Sequence, residues 1–268
     1  ELQQEHGYSF VHPFDDPKVI AGQGTIGLEI LEQMPEVQAV IVPIGGGGLI
    51  SGVAFAIKTL RPDVKVYGVQ STGAPSMAAS LKEGKLCHLN DVSTIADGIA
   101  VKEPGVNTFE MCNRYVDEVV TVSDDEIAAA ILALLEQQKL VAEGAGAVAV
   151  AAAMFNKVPI KGLKTVCLVS GGNIDVNTLS RVITRGLNKS GRNYTFIIDM
   201  PDKPGQLSGV CSVIGEKGGN ILSVTHERIN SSSAINGCTI RLELESRDAD
   251  HIAEIRKALS EAGYNVLN

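Results

Sequence analysis

The sequence predicts an α/β protein in two parts, an open parallel sheet followed by a smaller ferredoxin-like βαββαβ module. Three observations predict it. Short apolar, β-branched runs alternate with helical patterns; four consecutive glycines, Gly45, Gly46, Gly47 and Gly48, join one such run to a helix; and beyond a polar stretch near residues 186–193 the order of elements changes.

Residues 37–43, 64–70, 116–122 and 165–170 read as short buried strands, because each is continuous in apolar or β-branched side chains. Helical patterns lie between them, and strands alternating with helices imply parallel pairing. Ser123-Asp124-Asp125-Glu126 is a capping box, followed by Ile127, Ile131, Leu134 and Leu135 at helical spacing, so a helix is expected to start at Asp124. The small residues 144–153 predict a helix able to pack close to a strand. A junction is placed at residues 188–193, where Arg181 and Arg185 precede a turn-rich segment whose charges read as a solvated linker. After it come a strand at 194–200, a helix at 204–217, strands at 220–229 and 239–245, a helix at 248–262 and a strand at 264–267.

The tetraglycine sits between the apolar run ending at Ile44 and the helical pattern starting at Leu49. Without Cβ atoms a backbone can curl so that successive N–H groups converge on an anion, and the following helix adds its positive end. A tight structural turn is the competing reading. A P-loop is excluded because Leu49 and Ile50, not Lys-Ser or Lys-Thr, follow the last glycine. The dinucleotide pattern fails too, since the third glycine position is occupied by Ile50 or Ser51 and the acid expected after the next strand is Gln70. A single phosphate monoester is the ligand class that remains.

The chain has 268 residues, 44% of them hydrophobic, and a net charge of −8 that is spread along its length, which argues against nucleic acid as a partner. Its five cysteines, Cys87, Cys112, Cys167, Cys211 and Cys238, form no C-x-x-C pair and read as reduced, buried thiols. The histidines show no ligand spacing, so no zinc site is expected. Neither a membrane-spanning run nor a signal peptide is visible, and the expected location is cytoplasmic.

Several separated motifs together resemble the fold-type II pyridoxal-phosphate-dependent enzymes, and among them the threonine/serine dehydratases of the catabolic type. They are Pro13-Phe14-Asp15-Asp16, Ala21-Gly22-Gln23-Gly24-Thr25, Pro43-Ile44 with the tetraglycine and Leu49, Ala96-Asp97-Gly98, Glu143-Gly144-Ala145-Gly146 and Ser170-Gly171-Gly172-Asn173. The resemblance implies that residues 1–187 are the later part of a catalytic region whose cofactor is pyridoxal 5′-phosphate. Gly45, Gly46, Gly47, Gly48 and Leu49 would hold its phosphate, Gly98 would let the chain pass close to it, and Ser170 would face its ring nitrogen. A neutral hydroxyl there suits a dehydratase, because a carboxylate would hold that nitrogen protonated. Glu143 matches an acid near the ring. Plain turns at Ser170 and Gly98, and a solvated Glu143 at a helix start, remain the bland readings.

Residues 194–268 resemble an ACT effector-binding domain through Asp202-Lys203-Pro204-Gly205-Gln206-Leu207 and Gly219-Asn220-Ile221. The resemblance implies that Asp202, Gly205, Leu207 and Asn220 line an amino-acid site shared between two domains, within a homodimer or homotetramer. An empty, dimerising module is the other reading, with Pro204 opening a helix and Gly219-Asn220 a turn. Isoleucine, valine or serine would suit as guest.

Two departures from the family matter. The family's cofactor-binding lysine lies in a Ser-x-Lys-x-Arg-Gly-like segment, which no lysine of this chain matches, and a Ser-Ser-Gly-Asn-His-like loop is missing. A catalytically inactive fragment of a longer enzyme is therefore expected. The positions at which some relatives bind a divalent cation carry Gln70 and Ser76, both neutral, so no metal is expected there. The implied reaction is deamination of L-threonine or L-serine to 2-oxobutanoate or pyruvate plus ammonia. The alternatives are another enzyme of the same fold, such as threonine synthase, and a non-catalytic amino-acid sensor.

Overall fold

Asp16 and Pro17 start the first long helix. In the computed structural model, which describes residues 2–228 and 236–268, a short helix α1 (Leu2–His6) precedes α2 (Pro17–Gln33). Asp16 caps α2 by accepting the backbone N–H groups of Lys18 and Val19. There follow β1 (Ala39–Pro43), α3 (Gly48–Leu60), β2 (Lys65–Ser71), α4 (Ser76–Glu83), α5 (Val106–Tyr115), β3 (Glu118–Val122), α6 (Asp124–Ala133), α7 (Gly144–Met154), β4 (Thr165–Cys167) and α8 (Val176–Lys189). The capping box at Ser123 forms in full, with Ser123 and Glu126 bonding each other's backbone N–H.

These strands make a parallel sheet in the order β3-β2-β1-β4. β1 is buried along its whole length, and Val40, Val42 and Ile44 meet Ile50, Val53 and Ile57 of α3 in the core of this unit. α2 crosses α3 where glycines permit it: a Cβ on Gly52 would lie 2.2 Å from the Ile20 carbonyl oxygen. Three of the predicted strands begin one or two residues later than expected, although Val37 and Val64 are fully buried. β4 ends at Cys167 rather than Ser170: its ladder with β1 covers residues 165–167, and one last bond, from the Leu168 N–H to the Ile41 carbonyl at 3.0 Å, closes it at the sheet edge.

The chain divides into two units, Glu1–Leu179 and Ser180–Asn268, and the division falls within α8. α8 ends where Arg192 N–H bonds back to the Leu187 carbonyl and Gly191 takes a φ of 72°, so the non-helical connection is shorter than the expected 188–193.

The second unit comprises β5 (Asn193–Pro201), α9 (Gln206–Glu216), β6 (Asn220–Glu227), β7 (Gly237–Glu245), α10 (Ala249–Glu261) and β8 (Asn265–Val266). Its antiparallel sheet has the order β6-β7-β5-β8, the ferredoxin-like arrangement. Phe196, Ile198, Ile240 and Leu242 pack against Val210 and Ile214 of α9 and Ile255 and Leu259 of α10. Pro204 does not open α9; Gly205, at a φ of 89°, is the cap. Ile229, expected at the end of β6, lies outside the described residues. Among the described residues no helix is long and apolar enough to cross a membrane.

Candidate functional site

The tetraglycine leaves β1 and turns into α3. Gly47 adopts a φ of 100° as the cap of α3, a conformation that only glycine holds without strain. Ser51 is the first residue of the helix whose N–H finds a helical acceptor, the Gly47 carbonyl at 3.0 Å. The N–H groups of residues 45–50 have no acceptor among the described residues. They form a row of unpaired donors at the positive end of a helix.

The turn is held from outside by residues the sequence reading gave no role. Thr108 Oγ1 donates to the Gly46 carbonyl at 2.6 Å, and Gly105 N–H donates to the same oxygen at 3.3 Å. The Asp15 carboxylate caps α5 by accepting the N–H groups of Val106 and Thr108. Phe14 stands against the glycines so closely that a Cβ on Gly46 would lie 2.3 Å from its ring. Thus Pro13-Phe14-Asp15-Asp16 caps two helices and walls the glycine turn.

From the other side, α7 brings up the segment after β4. A Cβ on Gly146 would lie 2.8 Å from the Ser170 carbonyl oxygen, and Gly171 adopts a φ of 105°. Glu143 is not a freely solvated acid at the start of α7. Its carboxylate accepts the Asn173 N–H at 3.0 Å, and its own N–H donates to the Gly171 carbonyl at 3.2 Å. A Cβ on Gly98 would stand 3.4 Å from the Glu143 carboxylate.

Between these walls lies a cavity of about 330 Å³ bordered by Gly45, Gly46, Gly47, Gly48, Leu49, Gly98, Glu143 and Ser170, with Phe14 and Gln23. No lysine is among the residues that line it. A larger cavity of about 590 Å³, between α2, α3 and α5, has mostly apolar walls such as Leu28, Phe55 and Met111 and lacks the glycine turn. Gln70 is buried with its amide bonded to the Ile44 carbonyl and the Ala78 N–H.

Comparison with known proteins agrees with this geometry. Residues 1–172 match the family model described as pyridoxal-phosphate dependent enzyme. The chain belongs to that family. Residues 194–261 match the ACT domain model. Within the family, the chain is 53% identical over 265 residues to an L-threonine ammonia-lyase of Thermotoga maritima, covering 99% of this chain and 66% of that relative's length. It is 49% identical over 266 residues to the L-threonine ammonia-lyase of Geobacter sulfurreducens, again spanning 66% of the relative. Among solved structures, the processed form of threonine deaminase isoform 2 from Solanum lycopersicum superposes with a TM-score of 0.65 at 42% identity, covering 69% of this chain and 54% of that one.

A family cofactor carrying a phosphate monoester fits the donor set here: unpaired N–H groups at a helix start, where side chains larger than hydrogen would collide with Phe14 or Thr108. Ser170 and Glu143 border the same space. In the second unit, Asp202, Gly205 and Leu207 line a cavity of about 330 Å³ with Lys203, His226, Arg228 and Cys238. Asn220 does not. It opens β6, six residues before His226 or roughly 20 Å of extended strand, and its amide donates to Glu245 at 2.9 Å.

All five cysteines are free, but only Cys112 and Cys238 are buried, so the expectation of five buried thiols is corrected. Burial pushes the Cys112 thiol up to about 12, which leaves it protonated and inert.

Proposed function

We propose that residues 1–187 are the later part of the catalytic unit of a pyridoxal-phosphate-dependent enzyme that deaminates L-threonine, and L-serine as its smaller analogue. The products are 2-oxobutanoate or pyruvate plus ammonia. Residues 188–193 join that unit to an ACT regulatory domain at residues 194–268. One observation carries the reading: the tetraglycine, Gly98, Glu143 and Ser170, separated by up to 125 positions of sequence, border one cavity.

When bound, pyridoxal phosphate supplies the electron-withdrawing ring that lets a proton leave the Cα of an amino acid. The chain's own residues would do the following. The N–H groups of residues 45–49 hold the phosphate, at the positive end of α3. Ser170 meets the ring nitrogen with a neutral hydroxyl, which favours loss of the β-hydroxyl over persistence of negative charge at Cα. Glu143, steadied by Asn173, holds its carboxylate beside the ring, and Gly98 leaves room for close approach. Phe14 keeps water from one side of the glycine turn.

The lysine that holds the cofactor and takes the Cα proton is supplied from outside this chain, which is inactive alone. The assay is 2-oxobutanoate formation from L-threonine. Turnover by the longer protein with none from the 268-residue chain supports the reading; sustained turnover by the chain alone, or none by the longer protein, contradicts it.

In the ACT domain, Asp202, Gly205 and Leu207 form one half of an amino-acid site, and Asn220 of a second copy completes it. That arrangement requires a homo-oligomer, and β6 as an edge strand offers a surface for it. The cytosol is the proposed compartment, supported by cysteines that form no disulfide.

A further inference from the structure

The loop before α9 and the paired strands β6 and β7 bring three metal-ligating side chains together in the second unit. Asp202, His226 and Cys238 each offer one ligand atom, and these atoms lie within 4.8 Å of one another. Strand register explains the gathering. Cys238 pairs with Met200 and His226 with Ile240, so all four side chains share one face of the sheet.

The surroundings are those of a site. Cys238 is 1% exposed, and His226 Nε2 is buried without a hydrogen-bond partner among the described residues. Asp202 Oδ1 stands 3.8 Å from that nitrogen, while Asp202 Oδ2 accepts Arg228 Nε at 2.9 Å, which fixes the carboxylate's direction. A buried ring nitrogen left unpaired is costly, and neither neighbour is close enough to satisfy it. All three side chains border the cavity of about 330 Å³, so a fourth position opens onto free space.

We propose that Asp202, His226 and Cys238 bind Zn²⁺, with water from the cavity as fourth ligand. One nitrogen, one oxygen and one sulfur donor suit a tetrahedral borderline cation, whereas Mg²⁺ and Ca²⁺ require oxygen donors. With zinc–ligand bonds of about 2.0–2.3 Å, the side chains need only rotate inward by a fraction of an ångström to close on the ion. The thiol releases its proton to solvent as the zinc–sulfur bond forms. The site stands on this unit's geometry alone, and holds whether or not the cavity also takes an amino acid.

The test is a cobalt titration of the chelator-treated 268-residue chain, followed by zinc displacement. One equivalent of Co²⁺ should give a thiolate-to-cobalt charge-transfer band and the intense visible bands of four-coordinate cobalt, both removed by one equivalent of Zn²⁺. Cys238→Ser should abolish the charge-transfer band, and His226→Gln and Asp202→Asn should weaken Zn²⁺ binding by about tenfold or more. Circular dichroism checks that Cys238→Ser folds, and the half-exposed Asp202 gives a variant that does not disturb the core. Absence of the band at stoichiometric cobalt overturns the proposal. So does a band that survives both Cys238→Ser and His226→Gln, which would place the metal on other thiols.

Discussion

The carbonyl oxygen of Ser170 occupies the space that a side chain on Gly146 would need, 2.8 Å from where its Cβ would sit. The segment after β4 therefore reaches the cavity only because α7 carries glycine at this point. Gly146→Ala should cost about 1–3 kcal/mol in urea unfolding of the first unit. Gly22→Ala, a helical position with nothing within 4 Å and no positive φ, should be neutral or stabilising by about 0.4–1 kcal/mol. Equal effects at the two positions would contradict the packing argument.

Thr108 is expected to hold the glycine turn. Its hydroxyl donates to the Gly46 carbonyl from a fully buried position, so Thr108→Val leaves that oxygen short of a donor at nearly constant volume. A loss of about 1–3 kcal/mol is predicted in chemical denaturation, together with altered amide resonances for residues 45–48. Unchanged resonances would mean that the turn needs no such support.

The parallel sheet and the ferredoxin-like module were legible because buried strands must be continuous in apolar residues and a capping box marks a helix start, whereas the strand order was not read from the sequence. The edge strand β4 was overestimated, since Val169 carries strand chemistry but the bonding to β1 stops at the Leu168 N–H, which reaches the Ile41 carbonyl. Within the site, the glycines and Ser170 were readable as motifs. Thr108 was not, and Phe14 stood in a motif without its role being readable, because their work is done across 62 and 32 positions of sequence. The same limit hid the meeting of His226 with Cys238, which depends on register and on no spacing rule.

Acid should weaken the first unit through Asp117. Burial raises this carboxyl, but Lys58 at 2.6 Å, the Val66 N–H and Lys65 outweigh it, and the net value lies below the ordinary carboxylate range. A carboxyl lowered on folding stabilises above its unfolded pKa, and that contribution is lost as pH falls through the folded value. Stability should therefore drop below about pH 4. Asp117→Asn should flatten that part of the pH–stability curve and cost about 1–3 kcal/mol at neutral pH, read from unfolding midpoints across pH. An unchanged curve would remove Asp117 from the account.

In the longer enzyme, Ser170→Ala should lower kcat for L-threonine deamination about tenfold, the equivalent of one lost hydrogen bond of roughly 1.4 kcal/mol, with a smaller effect on KM. Ser170→Asp should raise Cα-proton exchange with D₂O relative to elimination, as a carboxylate would strengthen the ring's electron demand. Unaltered partitioning in Ser170→Asp would show that this side chain does not face the ring nitrogen.

The most direct test follows the backbone amides of residues 45–49 by heteronuclear NMR during titration with pyridoxine 5′-phosphate, which has no aldehyde to react with surface lysines, and in parallel with pyridoxine. Selective shifts at Gly45, Gly46, Gly47, Gly48 and Leu49 with the phosphorylated compound alone are the predicted result. No response at those amides, or the same response to both compounds, would contradict a phosphate cradle at the start of α3.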